Sequence, residues 1–247
     1  MHRFTRTKLL VGEQSFAHLS AAHVAVIGLG AVGGYAVEGL ARAGIGKLTL
    51  VDFDAIQLSN INRQLYALES TIGQPKSLVA RNRVLQINPS CQVRSMQLFA
   101  DEASILNIIN EAPDILIDAI DSLNPKIQVL TASVRHGVET LSSMGAALRT
   151  DPTQIRIDDI SRTKNCPLAR RVRKRLRSNN IYEGVTCIYS TEKVTFEYHP
   201  PEKPEDLLPH SERGRERRTL GSLPTLTGIF GLMLANETIM KLIKSTK

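Results

Sequence analysis

Val24-Ala25-Val26-Ile27-Gly28-Leu29-Gly30-Ala31-Val32-Gly33 is the stretch whose reading decides the fold. A short apolar strand, Val24 to Ile27, runs into G-x-G-x-x-G at Gly28, Gly30 and Gly33, and a helix follows from Val32 to about Arg42. Its place between strand and helix gives the motif its meaning. Glycines there permit a tight turn and close approach of backbone to phosphate, and the free N–H groups of the helix N-terminus face an anion. Gly44-Ile45-Gly46 ends the helix, Lys47 to Val51 forms the next strand, and Asp52 stands at its end. An acid at that place holds a ribose hydroxyl. The unit predicts an adenine nucleotide without saying which.

The residues after Asp52 narrow the choice. Asp54 precedes Ser59-Asn60-Ile61-Asn62-Arg63-Gln64. A dehydrogenase needs no such cluster, but a triphosphate does: arginine binds phosphate oxygens bidentately and amide side chains fill the remaining oxygens. Gly73-Gln74-Pro75-Lys76 opens a helix to about Ile87, stopped by Asn88-Pro89. A lysine at a helix N-terminus gains nothing from the dipole, so Lys76 points to a bound anion. Strands at 92–99, 114–119 and 139–142 alternate with helices at 104–112 and from Lys126 to about His136. The fourth strand delivers Asp118 and Asp121 at its carboxyl end, where ligands of doubly wound sheets sit. A carboxylate beside phosphates suits magnesium. Asp121 is preferred to Asp118 for the metal, and the plain reading of Asp118 is a helix cap or a hydrogen bond to a loop.

This alternation predicts an α/β fold, a Rossmann-like doubly wound, mostly parallel sheet covered on both faces. We read residues 1–150 as the nucleotide domain, opened by a helical arm (1–19) whose apolar positions are Leu9, Leu10 and Phe16. Residues 151–247 form a C-terminal α/β extension packed on the same sheet. In it, Gln154 to Asp158 alternates as a strand does, and Val185 to Ser190 is another strand. Between them a basic helix is expected over about 161–178, carrying Arg170, Arg171, Arg173, Lys174, Arg175 and Arg177 around an apolar stripe of Leu168, Val172 and Leu176. A solvated face is the plain reading; the density of charge favours nucleic-acid phosphates. A mobile loop is expected at about 199–218.

The net charge of +7 agrees with a polyanionic partner. Cys91, Cys166 and Cys187 are odd in number with no C-x-x-C pair, which argues against disulfides and structural zinc and for a reducing cytoplasm. The polar N-terminus is no signal peptide. The apolar stretch 223–240 is read as a core helix, with membrane contact weak or none.

With these residues in place the chain resembles the E1-like ATP-dependent activating superfamily. The likeness rests on Arg3-Phe4-Thr5-Arg6, Gly28 to Gly33, Asp52-Phe53-Asp54, Asn60, Arg63-Gln64, Gly73-Gln74-Pro75-Lys76 and Asp118-Ala119-Ile120-Asp121. It implies ATP and magnesium as cofactors. Asp52 falls on the ribose, Asn60, Arg63 and Lys76 on the phosphates, and Asp121 on magnesium and the reacting phosphate. Arg6 matches an arginine that reaches the partner subunit's ATP in homodimeric members. Sulfur-carrier activators usually hold zinc with two C-x-x-C pairs in the second half, which this chain lacks. Instead Asp151-Pro152-Thr153-Gln154-Ile155, Pro167-Leu168-Ala169-Arg170 and Cys187-Ile188-Tyr189-Ser190-Thr191-Glu192 resemble the tRNA threonylcarbamoyladenosine dehydratase family. That likeness implies a tRNA partner carrying the modified adenosine, no DNA, and room for a sulfur-transfer protein partner.

The implied chemistry is adenylation of the threonyl carboxylate followed by ring closure with net loss of water. Ring closure is intramolecular and needs no enzyme nucleophile, so Cys187, in an apolar strand, is read as core. Ser190 and Glu192 are weaker candidates for the substrate site. The residues admit three rivals: adenylation of a ubiquitin-like sulfur carrier, which shares the ATP site; an NAD(P) oxidoreductase, which leaves Arg63, Lys76 and Asp121 unexplained; and a silent nucleotide-binding adaptor.

Overall fold

The computed structural model describes residues 3–194 and 220–244. The loop expected at 199–218 lies outside them. Seven strands form one sheet: β1 (His23–Ile27), β2 (Lys47–Val51), β3 (Gln92–Met96), β4 (Ile115–Asp118), β5 (Glu139–Ser143), β6 (Ile155–Asp159) and β7 (Val185–Ser190). Their order is β3-β2-β1-β4-β5-β7-β6. All neighbours are parallel except β6, which runs antiparallel to β7. The order reverses between β1 and β4, and the crevice at the carboxyl ends of those two strands is where such sheets bind ligands.

Eight helices accompany the described sheet: α1 (Thr5–Val11), α2 (Glu13–Ala21), α3 (Gly33–Ala43), α4 (Lys76–Ile87), α5 (Glu102–Ile109), α6 (Leu123–Arg135), α7 (Pro167–Arg177) and α8 (Pro224–Lys244). Successive strand residues point to opposite faces. Val24, Val26, Leu48 and Leu50 pack with Leu19, Leu40, Val84, Phe230 and Leu234, so α2, α3, α4 and α8 cover that face. Ala25, Ile27 and Leu116 pack with Ile105, Ile108 and Val129 of α5 and α6. On the same side Val172 and Leu176 of α7 pack with Val185 and Cys187.

α8 packs closely on α3. A Cβ on Gly231 would lie 2.3 Å from the Val32 carbonyl oxygen, and one on Gly39 would lie 2.7 Å from the Ala235 Cβ. By length and composition α8 could cross a membrane. Here it serves as a core helix, burying Leu226, Phe230, Leu234 and Ala235.

Several boundaries differ from expectation. The N-terminal arm is two helices broken at Gly12, whose φ is +86°. Phe4 and Phe16 anchor it, ring centroids 5.6 Å apart, while Leu9 and Leu10 are 81% and 87% exposed. α5 starts at Glu102 because Asp101 caps it, accepting from the Ser104 N–H at 2.9 Å. The fourth strand stops at Asp118, and α6 begins at Leu123 rather than Lys126. The basic helix begins at Pro167, not near 161. Asp159 caps a separate 3-10 turn, Ile160–Arg162, and Cys166 then caps α7 with proline at the first helical position.

Candidate nucleotide site and basic cleft

The three glycines differ in what holds them. Gly28 has φ +90°, and a Cβ there would meet the Ala119 backbone at 2.9 Å; one on Gly33 would lie 1.8 Å from the Gly28 oxygen. Both are set by internal packing. Gly30 has no neighbour nearer its Cβ position than the Gln64 side-chain nitrogen at 3.7 Å. Its bare backbone therefore faces open space over the crevice, with Gln64 on the rim.

Asp52 closes the other side. Its Oδ2 accepts the Leu29 N–H at 2.7 Å and its Oδ1 the Asp54 N–H at 2.9 Å. Burial pushes its carboxyl above the usual range, against the pull of Lys76 and of the two amide bonds. Each oxygen keeps a lone pair for a hydroxyl donor. Lys76 opens α4, nearly buried, with its Nζ 2.9 Å from Asp54 Oδ2. Asp54 thus tethers the lysine at the lip of the crevice.

Asn60 builds the turn that carries Arg63. Its Oδ1 accepts the Gln57 N–H at 3.1 Å, and its carbonyl accepts the N–H groups of Arg63 and Gln64 at 3.1 and 2.9 Å. Arg63 donates through one nitrogen to the Ser59 carbonyl and Asn62 Oδ1, at 2.9 and 2.7 Å. No acid pairs with it among the described residues.

Of the two acids at the carboxyl end of β4, the structure commits Asp118 elsewhere. It is fully buried, 2.5 Å from Lys126 Nζ. Asp121 is exposed at the mouth, with the Ser122 hydroxyl 3.4 Å from its Oδ1. Among the described residues no group of three metal-binding side chains exists. Magnesium held by one carboxylate and by nucleotide phosphates needs none, so Asp121 fits that role.

Arg6 does not join these residues within the chain. Phe4 packs at Gly44, past the end of α3, and Arg3 donates to the Ile87 carbonyl at the end of α4. The arm therefore lies at the far ends of the two helices whose N-termini form the site, roughly 17 Å away at about 1.5 Å per residue.

The cationic helix lines a cleft of about 710 Å³ with Lys164, Asn165, Arg170, Arg171 and Lys174. Arg175 and Arg177 are exposed beyond it. Arg173 is used internally: its Nη1 donates to the carbonyls of Ile160 and Thr163 and to the Thr163 hydroxyl, at 3.3, 3.0 and 2.5 Å. Sequence reasoning did not single out Lys164 as a lining residue. The start of α7, where the cleft begins, lies at the same carboxyl edge of the sheet as the glycine loop. Asn165 donates to the Thr191 carbonyl just past β7, at 3.2 Å, and Gly145, just past β5, lies beside Leu168.

Glu192 proves to be a loop anchor. Its carboxylate accepts the N–H groups of Thr150 and Asp151 at 3.0 and 3.1 Å and the Thr150 hydroxyl at 2.9 Å. Burial opposes its ionisation, but these bonds win and hold its carboxyl low. Ser190 is fully buried and accepts the Glu192 N–H at 3.1 Å. Cys187 is fully buried too, and burial pushes its thiol far up. Sequence reasoning missed Lys126, which has no exposed surface.

The chain matches the ThiF family over residues 4–247. It is 36% identical over 249 residues to the tRNA threonylcarbamoyladenosine dehydratase of Bacillus subtilis (strain 168), covering 99% of this chain and 96% of that one. The crystal structure of the E. coli tRNA N6-threonylcarbamoyladenosine dehydratase, TcdA, in complex with ATP superposes with a TM-score of 0.86 at 31% identity, covering 99% and 95% of the two chains. Its complex with AMP gives the same score at 32% identity.

Proposed function

The chain belongs to the ThiF family, and from that premise we propose that it is an ATP-dependent dehydratase of N6-threonylcarbamoyladenosine in tRNA. One observation carries the reading: the glycine loop and the start of the cationic helix α7, where its cleft begins, both lie at the carboxyl edge of one sheet. A nucleotide and an RNA backbone would then lie side by side. We read residues 1–150 as the adenylating domain and 151–247 as the extension that takes the tRNA. Reduced, buried cysteines suit a cytoplasmic site of action.

ATP enters as the second substrate. Gly30 leaves room for its phosphates in the loop that Gly28 and Gly33 shape by close packing, Asp52 takes a ribose hydroxyl, and Asn60 and Gln64 border the phosphate path. A threonyl carboxylate oxygen attacks the α-phosphorus, the bond to the β-phosphate oxygen breaks, and pyrophosphate leaves. Arg63 and Lys76 offset the charge that builds on those oxygens, and such preorganised charge is the main catalytic effect here. Magnesium, held by Asp121 and the phosphates, would supply further charge neutralisation. A neighbouring atom of the same side chain then attacks the activated carbonyl and AMP departs, for a net loss of one water. Well-oriented ring closures reach effective molarities of about 10⁵ M or more, so no cysteine has to hold the acyl group. Arg6 lies too far to serve its own crevice and would act on a partner's, in a homodimer.

The test mixes protein, magnesium and ATP with tRNA bearing threonylcarbamoyladenosine, and separately with unmodified tRNA. AMP release with the modified tRNA alone, and a digested nucleoside lighter by one water, is the expected result. Turnover only when a small protein with a C-terminal glycine pair is added would replace this reading with carrier activation.

A further inference from the structure

Lys126 heads the largest side chains that the described fold buries completely. Its Nζ donates to Asp118 Oδ2 at 2.5 Å, to the Ser143 carbonyl at 3.0 Å and to Ser142 Oγ at 3.3 Å. The Ser142 hydroxyl donates to the same Asp118 oxygen at 2.6 Å. All three ammonium protons are used. As a way of holding a core together such a pair is poor, because apolar residues of similar volume often do as well or better. Its position offers a better account. The ammonium ties the carboxyl ends of β4 and β5 to the first turn of α6, directly behind the crevice.

From there the contacts continue to the nucleotide site. Asp118 Oδ1 accepts the Ile120 N–H at 3.1 Å, which fixes the turn that ends in Asp121. The Ala119 N–H donates to the Ile27 carbonyl at 2.8 Å, and the Ala119 backbone presses against Gly28. The turn is therefore clamped to the glycine loop on one side and to the buried ion pair on the other. We infer that Lys126 is a positioning residue for the adenylation step: through Asp118 and Ser142 it fixes the turn carrying Asp121 against the glycine loop. The inference rests on the crevice being the ATP site proposed above.

The experiment compares Lys126→Met, Lys126→Arg and Ser142→Ala with the unsubstituted protein. It reads amide hydrogen exchange over 119–123, equilibrium ATP affinity, and kcat on modified tRNA. In Lys126→Met, exchange over the turn should quicken at least ~10-fold while the β1 amides stay protected. kcat at saturating ATP should fall at least ~10-fold, since small misplacements in a site cost that much or more. ATP affinity should change less than about threefold. Lys126→Arg should restore most of kcat, and Ser142→Ala should show the same pattern at about threefold. Unchanged turn exchange and kcat within about twofold in Lys126→Met would reduce the pair to core packing and overturn the inference. If that variant does not fold, Ser142→Ala decides in the same way, and unchanged exchange and kcat there overturn it. If the unsubstituted protein releases no AMP with modified tRNA, the functional reading falls by itself, and turn exchange still decides whether Lys126 holds the turn.

Discussion

Gly30 and Gly33 belong to one motif, yet a methyl group added to each meets different things. On Gly33 it lands 1.8 Å from a backbone oxygen, and on Gly30 it stands in the open crevice. Gly33→Ala should therefore lose thermal stability and ATP binding together, seen by melting and calorimetry. Gly30→Ala should melt as the parent does and bind ATP about 10-fold more weakly, the cost of crowding a fitted site by one methyl. His23 gives a pH prediction. Burial, then the charge of Lys47, lowers its pKa to about 4 despite Asp114, while the unfolded chain keeps about 6.5. Between those values the unfolded state holds the extra proton, so stability falls as pH drops from 6.5 towards 4. Unfolding there should take up about one proton more than it does in His23→Gln, measured from the pH slope of denaturant unfolding. Cys187→Ala should keep most of kcat, and its near-complete loss in a folded variant would return the thiol to the chemistry. The sequence made the glycines, Asp52, Arg63 and Lys76 legible because each chemistry demands its residue type. Lys126 escaped because a helical lysine reads as surface; only the strand ends that converge on it reveal its burial.

α7 shows why a run of charge cannot be read residue by residue. Periodicity exposes the stripe of Val172 and Leu176 but not which cations bend back onto the protein. Arg173 does, satisfying two carbonyls and a hydroxyl. Arg173→Ala should lower stability by ~1–3 kcal/mol through those orphaned acceptors, and leave the salt dependence of tRNA binding nearly unchanged. Replacing Arg170, Arg171 and Lys174 with Ala should do the reverse. The slope of log affinity against log salt should flatten by about 0.7–0.9 per lost phosphate contact, with ATP affinity and melting unaffected. Filter binding across a salt series separates the two sets. The start of this helix is hidden in the sequence because the capping role falls to Cys166, a residue whose sulfur rarely signals a helix start. Its acceptance of the Ala169 N–H at 3.5 Å is visible only in three dimensions.

Across the whole molecule, the alternation of strands and helices was enough for the parallel sheet, since crossover connections leave few other arrangements. It was not enough for the insertion of β7 between β5 and the antiparallel edge strand β6, which depends on long-range pairing. With β7 beside β5, α7 packs against α6 and starts at the carboxyl edge of the sheet. The contact of α8 with the start of α3 has a consequence in time. Val32, which leads α3 out of the glycine loop, takes its position with the Gly231 backbone packed against its carbonyl. At synthesis rates of about 5–20 residues per second, the ribosome reaches residue 231 roughly 10–40 s after residue 32. For that interval the nascent chain carries its glycine loop without the helix that packs behind it, so the loop's final packing waits on the C-terminal end of the chain.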